Sequence, residues 1–186
     1  MAKENIDVKG LLNGKIVINK DGKGSGISVV GAGDKGSIRS VAFKAIDFNL
    51  FYQKGRWQIN NMKAQEDNGG FIAAQGNVDF VKRKIDLEVG CSKVSAAIIT
   101  AFMENVPDFG GTMDFTAQLM GDLDNPSGNI SMQISQGKLA GVTFDNLYGM
   151  VTLRDDMFNL EQLFLEKDIY KLSAYGTFPR DLLRIA

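Results

Sequence analysis

The chain has 186 residues, a formal net charge of −1 and a sequence pI near 5.5. This charge gives no basic field for nucleic acid, and the length suits one domain that buries a sizeable core. The sequence contains no histidine, which removes the usual general base and the commonest metal ligand. Cys91 is the single cysteine, so an intramolecular disulfide is excluded.

Neither a signal peptide nor a membrane-spanning helix is predicted. Residues 1–10 lack an apolar signal core. The longest mostly apolar run, Val94–Met103, is about half of the roughly 20 residues that such a helix needs. We expect a soluble chain, either as it stands or as a piece of a longer exported protein.

The first half of the chain alternates apolar and polar residues, which is the period of a β-strand. Long antiparallel meander strands fit this spacing. Strands are predicted at residues 6–19, 27–30, 41–52, 56–65, 71–80 and 84–89. Turns are predicted at residues 20–26, 31–36, 54–55, 67–69 and 82–84.

The period changes after Ser92. Apolar residues at helical spacing (Val94, Ala97, Ile98, Ala101, Phe102) predict one helix over residues 92–106. Ser92 would cap its start, and Pro107 would end it. Its polar face lacks the Lys and Arg of a membrane-surface helix, so we expect it to pack on the end or edge of the sheet.

The second half of the chain repeats the first. With Phe43 placed under Phe144, an offset of 101 residues, apolar positions coincide, and after the turn at Asp67 the offset drops by one. Paired positions are Val41/Val142, Ile46/Leu147, Leu50/Val151, Trp57/Phe158, Ile59/Leu160, Met62/Leu163, Ala64/Leu165, Ile72/Leu172, Ala74/Ala174, Gly76/Gly176 and Val78/Phe178. A duplicated supersecondary unit is indicated: one elongated domain over 1–186, with copy one at 10–90, the linking helix at 92–106 and copy two at 110–180.

Both copies change the phase of their alternation at matching sites. One change predicts a β-bulge at residues 44–45 and at residues 145–146, because an extra residue sends every later side chain to the other face. A second shared change follows Ile59 and Leu160.

No motif in the sequence predicts catalysis. Gly31, Gly33 and Gly36 spell G-x-G-x-x-G, but an alternating strand follows them where a dinucleotide site needs a helix. We interpret these glycines as a hairpin turn. The acidic residues are spread over polar faces and turns, so no pair is selected as catalytic: Asp86, Glu88, Asp122, Asp124, Asp155 and Asp156. We expect neither an enzyme nor a cofactor or metal site.

The continuous apolar face is the feature with functional promise. It has a simple interpretation as the core face of a closed sandwich or repeat scaffold. However, no second set of strands or run of helices is evident in the sequence to cover so long a face. A strand set from an outer-membrane barrel would also alternate, but it would carry aromatic girdles, which this sequence lacks.

Several stretches resemble the TamB family of the bacterial translocation and assembly module, within the wider AsmA-like group. The resemblance rests on PDFGGTMDF, on the turn GDLDNPSG, on GKLAGVTFDNLYGMV and on a strand ending AYGTF, and it spans roughly residues 10–178. It implies an elongated antiparallel sheet folded into a U-shaped taco with an apolar concave groove.

The function implied by this resemblance is lipid transfer in the periplasm. Such proteins are anchored in the inner membrane, reach the outer membrane, pass phospholipid along the groove and partner with an outer-membrane barrel assembly protein of the TamA or BamA type. The chain lacks the N-terminal anchor of the family and would be a segment whose neighbours are further repeats. We expect the groove to be lined by Phe43, Phe48, Leu50, Trp57, Ile59, Val78, Phe80, Leu87, Met113, Phe115, Leu119, Met132, Phe144, Leu147, Val151, Phe158, Leu160 and Leu163.

Overall fold

The computed structural model describes residues 8–21, 24–38, 41–99 and 109–179. These residues form one antiparallel sheet of eleven strands in sequence order, whose two outermost strands do not pair with each other. The strands are β1 Val8–Asp21, β2 Gly24–Ile38, β3 Val41–Gln53, β4 Arg56–Gln65, β5 Phe71–Asp79, β6 Lys84–Ser95, β7 Phe109–Asp122, β8 Pro126–Leu139, β9 Val142–Arg154, β10 Met157–Lys167 and β11 Tyr170–Pro179. The predicted mainly β, antiparallel class is confirmed.

Short hairpin turns connect the neighbouring strands whose connections the structure describes in full. Lys54 and Gly55 connect β3 to β4 with φ angles of 50° and 82°. Asp155 and Asp156 connect β9 to β10 with φ angles of 52° and 59°. Two consecutive residues with positive φ make the tight turn whose twist matches that of flanking antiparallel strands. The turn predicted at residues 54–55 is therefore confirmed.

The sheet has one apolar and one polar face. In β7, Met113 and Ala117 are buried. The alternate residues Asp114, Thr116 and Gln118 are exposed. The polar face is tied together by cross-strand hydrogen bonds between amide, hydroxyl and carboxylate groups. Asn61 Nδ2 donates to Asp47 Oδ1 at 2.7 Å, and Gln75 Nε2 donates to Glu88 Oε2 at 2.8 Å.

The turn predicted at Gly31–Gly36 is wrong. These glycines lie inside β2, which runs without interruption from Gly24 to Ile38. Gly31 is paired with Phe48, and a Cβ atom added to it would lie 2.4 Å from Phe48 Cζ. Gly31 makes room for the Phe48 ring of β3, whereas Gly33 and Gly36 are approached closely by Leu12 and by the Lys9 carbonyl oxygen of β1.

The second predicted change of phase is confirmed as a bulge in both halves. The register of β4 against β5 shifts between Ile59 and Met62, and that of β10 against β11 shifts between Leu160 and Leu163. Each bulge places one extra residue in its strand, so that apolar residues on both sides of the bulge reach the same face.

The first predicted bulge is wrong in kind. The register of β2 against β3 is the same on both sides of residues 35 and 44, and that of β8 against β9 is the same on both sides of residues 136 and 145. Neither strand has an extra residue; instead, residues 35 and 44 do not pair with each other, and neither do residues 136 and 145. The first member of each pair takes a left-handed conformation, with φ of 54° at Lys35 and 51° at Gln136.

The helix predicted to begin at Ser92 does not begin there. Strand β6 continues to Ser95, and Val94 pairs with Met113 of β7. Ser92 Oγ donates to Asp114 Oδ1 at 2.8 Å across the polar face instead of capping a helix. Ile98 and Ile99 are helical, and residues 100–106 of the predicted helix lie outside the described residues. No helix in the described ranges has the length and apolar character needed to cross a membrane.

The left-handed Gln136 generates a stability prediction. A non-glycine residue in this conformation costs about 1–2 kcal/mol, whereas glycine in a regular strand costs about 0.5–1 kcal/mol. We expect Gln136→Gly to leave the free energy of unfolding unchanged or raise it, and Gln118→Gly, at an exposed regular position of β7, to lower it. Urea unfolding of both variants measures the difference. A larger loss in Gln136→Gly than in Gln118→Gly would contradict the left-handed assignment.

Candidate functional site

The candidate site is the apolar face, which we describe by rows of residues that pair across strands. Residues directly opposite each other in an antiparallel ladder point to the same face. The Phe115 row crosses all eleven strands without a polar side chain. From β1 to β11 it consists of Leu12, Gly33, Ile46, Ala64, Ile72, Cys91, Phe115, Met132, Gly149, Leu163 and Ala174.

Two further rows run parallel to it and are equally free of polar side chains. The Ala117 row consists of Gly14, Gly31, Phe48, Met62, Ala74, Val89, Ala117, Ile130, Val151, Leu160 and Gly176. The Leu119 row consists of Ile16, Val29, Leu50, Ile59, Gly76, Leu87, Leu119, Gly128, Leu153, Phe158 and Phe178. The apolar face is therefore continuous from one edge of the sheet to the other.

One end of this face is covered, and we call it the capped end. Val94 and Ile134 are fully buried there, together with Met113, Phe144 and Leu147. The covering segment is Ala96–Ile99, whose isoleucines pack against this cluster.

Backbone and carboxylate bonds hold the covering segment in place. The N–H of Ala96 donates to the carbonyl oxygen of Gly111 at 3.0 Å. Glu66, which is buried in the turn after β4, accepts from the N–H of Ser95 at 3.1 Å and from Asn68 Nδ2 at 3.0 Å. This carboxylate joins the β4–β5 turn to the end of β6, where the chain folds over the apolar face.

The opposite end of the face, which we call the far end, is half-buried. Leu87, Leu119 and Ile59 all keep part of their surface in water. Aromatic pairs lie near the hairpin turns at this end. The ring centroids of Tyr52 and Trp57 are 5.0 Å apart, and those of Phe158 and Phe178 are 5.5 Å apart. Large apolar side chains at the far end are thus in contact with one another but not sealed from solvent.

Glycines allow aromatic rings to lie flat on the face. Phe144 of β9 pairs with Gly137 of β8, and a Cβ atom at Gly137 would lie 2.0 Å from the ring. Gly149 is covered in the same manner by Met132, whose Cε lies 2.9 Å from the position of an added Cβ. The Phe144 and Met132 side chains therefore fill the space that a side chain at Gly137 or Gly149 would occupy.

The structure places the predicted lining residues on this one face, with the exception of Phe80. Phe43 and Phe144 pair with Gly36 and Gly137 at the capped end. Trp57 and Val78 pair with each other at the far end. Met113 and Leu147 belong to the buried cluster. The remaining members occupy the rows defined above: Phe48, Leu50, Ile59, Leu87, Phe115, Leu119, Met132, Val151, Phe158, Leu160 and Leu163.

Phe80 follows the last residue of β5 and belongs to none of the paired rows, so its lining role stays a prediction. Strand β5 ends at Asp79, and Phe80 is an exposed turn residue whose N–H donates to the carbonyl oxygen of Gly55 at 3.0 Å. The Asp79 carboxylate accepts from the N–H groups of Val81 and Lys82 at 3.1 and 2.8 Å. These hydrogen bonds to the Asp79 side chain form a turn that ends β5 at Asp79, one residue before the predicted end of the strand.

Sequence reasoning missed many members of the face. A few of the missed positions are small residues and Val94 was assigned to a helix, whereas most are apolar residues of predicted strands that were not selected for the lining. They include Leu12, Ile16, Val29, Ile46, Ile72, Ala74, Val89, Cys91, Val94, Ala117, Ile130, Ile134, Leu153 and Ala174. If the alternation had been extended through the glycines of β2, Val29 and the other β2 residues that pair with β1 would have been placed on the apolar face.

No protein-family model matches the chain. Searches of curated proteins and of solved structures found no match either. The site is therefore interpreted from its own geometry.

The polar face carries exposed ion pairs. Asp122 and Asp124 bind the exposed Lys84 and Arg83 near the far end. No group of three or more Cys, Asp or Glu side chains in that part of the chain could hold a metal ion. A shallow depression of about 420 Å³ on this face is lined mainly by hydroxyl, amide and thioether groups, including those of Ser131, Gln133 and Met150.

Cys91 lies in the middle of the Phe115 row and is buried. Burial raises the pKa of its thiol from an ordinary value of 9.0 to about 11, and the charge of Asp114 acts in the same direction. The thiol Sγ is 3.7 Å from the carbonyl oxygen of Met113. A neutral, buried thiol is a small apolar group, so Cys91 extends the row rather than interrupting it.

Because the Phe144 ring covers Gly137, we predict that adding one methyl group at Gly137 strongly reduces stability. We expect Gly137→Ala to lower the free energy of unfolding by about 1–3 kcal/mol, because the buried Phe144 ring must move. Gly176→Ala is the matched control, since a Cβ there meets no atom within 4 Å. Chemical denaturation measures both. Equal effects of the two substitutions would contradict the packing of Phe144 on Gly137.

Burial of Cys91 predicts slow alkylation. At pH 8 we expect iodoacetamide to react with Cys91 about 100-fold more slowly than with an exposed cysteine, because the thiolate is scarcer and inaccessible. Gln118→Cys, on the exposed polar face of β7, provides the reference thiol. Since the folded pKa is raised, the contribution of Cys91 to stability should fall as pH rises from 9 towards 11. Equal alkylation rates would show that the Phe115 row is open at Cys91.

Proposed function

We propose that this chain is a non-enzymatic segment of a TamB-like bridge protein that holds phospholipid acyl chains on its apolar face. The observation that carries the proposal is the set of three rows without a polar side chain across all eleven strands. A sheet with a solvent-exposed face does not need apolar rows that cross every strand. A surface along which an acyl chain moves does need rows that no polar side chain interrupts.

The proposal includes a curled sheet with the apolar face inside. Ala74, Ala117 and Leu153 are buried although they lie away from the covering segment Ala96–Ile99. Their neighbours on the polar face, such as Thr116 and Gln118, are exposed. Side chains converge on the concave side of a bent sheet and spread apart on the convex side, which accounts for this asymmetry without a second layer.

The proposal also includes a structural duplication. The bounds of β1 and β7 differ by 101 residues at both ends, and so do those of β3 and β9. The irregularities follow the same spacing: the register shift at Gly10 corresponds to that at Gly111, and the left-handed Lys35 corresponds to Gln136. Strand β6 has no counterpart and would join the two copies.

The energetics of the face suit a lipid that slides. Each buried methylene contributes about 0.8 kcal/mol. With strands about 4.8 Å apart, a row across eleven strands measures about 48 Å, which exceeds the roughly 30 Å hydrocarbon core of a whole bilayer. Because the rows contain no polar anchor, neighbouring positions differ little in affinity and a chain could move between them.

The proposed setting follows from the family resemblance. The segment would lie in the periplasm as part of a longer protein, anchored in the inner membrane and reaching an outer-membrane partner of the TamA or BamA type. Further repeats of the same kind would extend the track beyond this segment. Its role would be outer-membrane biogenesis through phospholipid transfer.

A second candidate is a structural or protein-interaction module with a closed core. The capped end favours it, because Val94, Met113, Ile134, Phe144 and Leu147 are buried under the Ala96–Ile99 segment in the manner of an ordinary core. The half-buried Leu119 at the far end distinguishes the two candidates. An open groove tolerates a charge there, whereas a sealed core does not.

A pair of lysine substitutions on neighbouring residues of β7 tests the proposal. Leu119→Lys places a charge on the apolar face, and Gln118→Lys places the same charge on the polar face. We expect Leu119→Lys to weaken binding of the fluorescent fatty acid cis-parinaric acid by about 10- to 100-fold, because one large apolar contact worth about 1.5–3 kcal/mol is lost. Gln118→Lys should bind like the parent chain.

Far-ultraviolet circular dichroism of the same two variants separates the two candidates. Both variants should remain folded if the face is an open groove. Unfolding of Leu119→Lys alone, together with no binding of the fatty acid by the parent chain, would support the closed module and refute the conduit.

A further inference from the structure

Strand β1 is an edge strand that exposes large apolar side chains on both faces. On the apolar face, Leu12, Ile16 and Ile18 are 59%, 69% and 72% exposed, and on the other face Leu11 is 83% exposed. In the described part of the chain β1 pairs only with β2. The backbone groups on its outer side can therefore pair with another strand.

The other edge of the sheet is less suited to pairing. Strand β11 has ten residues against fourteen in β1, and it ends in Pro179. Proline cannot donate to a ladder and is a common means of blocking sheet edges. The polar face of β11 carries Lys171, Ser173 and Thr177 beside the exposed Tyr175, so it is more polar than the corresponding face of β1, which carries Leu11 and Val17.

The sequence of β1 is complementary to itself in one antiparallel register. With Gly14 opposite Gly14 of a second copy, Leu12 lies opposite Ile16 on the apolar face. On the polar face Leu11 lies opposite Val17, and Asn13 lies opposite Lys15. Apolar residues therefore meet apolar residues on both faces, and the only charged group in this stretch meets an amide.

Registers shifted to either side are worse. Moving the centre to Lys15 places two lysines directly opposite each other, which is destabilising. Moving it to Asn13 places Leu11 opposite Lys15. The register shift at Gly10 marks the point where β1 departs from regular geometry, so the stretch Leu11–Val17 is the regular part available for pairing.

We propose that β1 is a self-association edge through which two copies of this chain join in antiparallel pairing centred on Gly14. The two-fold axis is perpendicular to the sheet, so the apolar faces of both copies lie on the same side. The Ala117 row then continues into the Ala117 row of the second copy, and the Phe115 and Leu119 rows continue into each other. This inference stands on the edge chemistry of this chain and does not require that the face bind lipid; in the proposed longer protein a neighbouring repeat would compete with the second copy for this edge.

Matched lysine substitutions at the two edges test which edge associates. Leu12 and Leu172 are both 59% exposed, and they lie on the apolar face of β1 and β11. Sedimentation equilibrium without lipid should show a dimer for the parent chain and for Leu172→Lys. Leu12→Lys should raise the dimer dissociation constant at least about 100-fold, because two-fold symmetry removes the leucine contact twice.

Cysteine pairing tests the register even where a lysine variant does not fold. Asn13→Cys and Lys15→Cys introduce thiols at exposed positions that lie directly opposite each other in the proposed dimer. A 1:1 mixture should form an intermolecular disulfide on mild oxidation, since paired Cα atoms are about 4.5–5.5 Å apart. Each variant alone should crosslink far less, because its two cysteines are diagonal neighbours about 7–8 Å apart.

Two results would overturn the proposal. One is a parent chain that stays monomeric at all concentrations and gives no more disulfide in the mixture than in the separate variants. The other is a dimer that survives Leu12→Lys but dissociates in Leu172→Lys, which would assign the interface to β11.

Discussion

The structure depends on one constraint of antiparallel pairing, namely that residues opposite each other point to the same face. An apolar row can cross eleven strands only if every strand enters it in phase. The paired irregularities at Lys35 and Gln136 lie beyond these rows and bring Phe43 and Phe144 to the apolar face at the capped end. The bulges after Ile59 and Leu160 restore the phase of the rows in β4 and β10. Without them part of each row would carry the polar side chains of the other face. The irregular positions are thus as important to the apolar face as the apolar residues themselves.

The apolar face changes character along the strands, and this gradient connects packing with function. At the capped end the Ala96–Ile99 segment seals Val94 and Ile134 from water, which supplies an ordinary core. At the far end Leu87 and Leu119 remain half-buried. Leaving a large apolar side chain in water forgoes about 1.5–3 kcal/mol. A stable core at one end therefore allows the other end to remain available for an apolar ligand.

Much of the strand pattern could be predicted from the sequence, because apolar and polar residues alternate over most of the range from Val41 to Phe178, apart from residues 92–106 and the shared changes of phase. The turn at residues 54–55 and the bulges after Ile59 and Leu160 were predictable from local residues. The glycines of β2 were misleading because Gly31 accepts the Phe48 ring of β3 and Gly33 accepts Leu12 of β1, which only the paired strands reveal. Val94 was assigned to a helix because a buried strand end and the next apolar residues happen to share helical spacing. The three apolar rows could not be predicted, because they depend on which residues pair between neighbouring strands, and the sequence of a single strand does not give this register.

The central claim, that acyl chains lie on the apolar face, is tested most directly by photocrosslinking. A phospholipid with a diazirine on its acyl chain would be exchanged into the detergent-free protein, irradiated and mapped by peptide mass spectrometry. The account predicts adducts at alternate residues of the central strands, such as Leu87 and Leu119, and none at Gln118 or Glu88 between them. Adducts spread equally over both faces, or confined to the polar face, would contradict it.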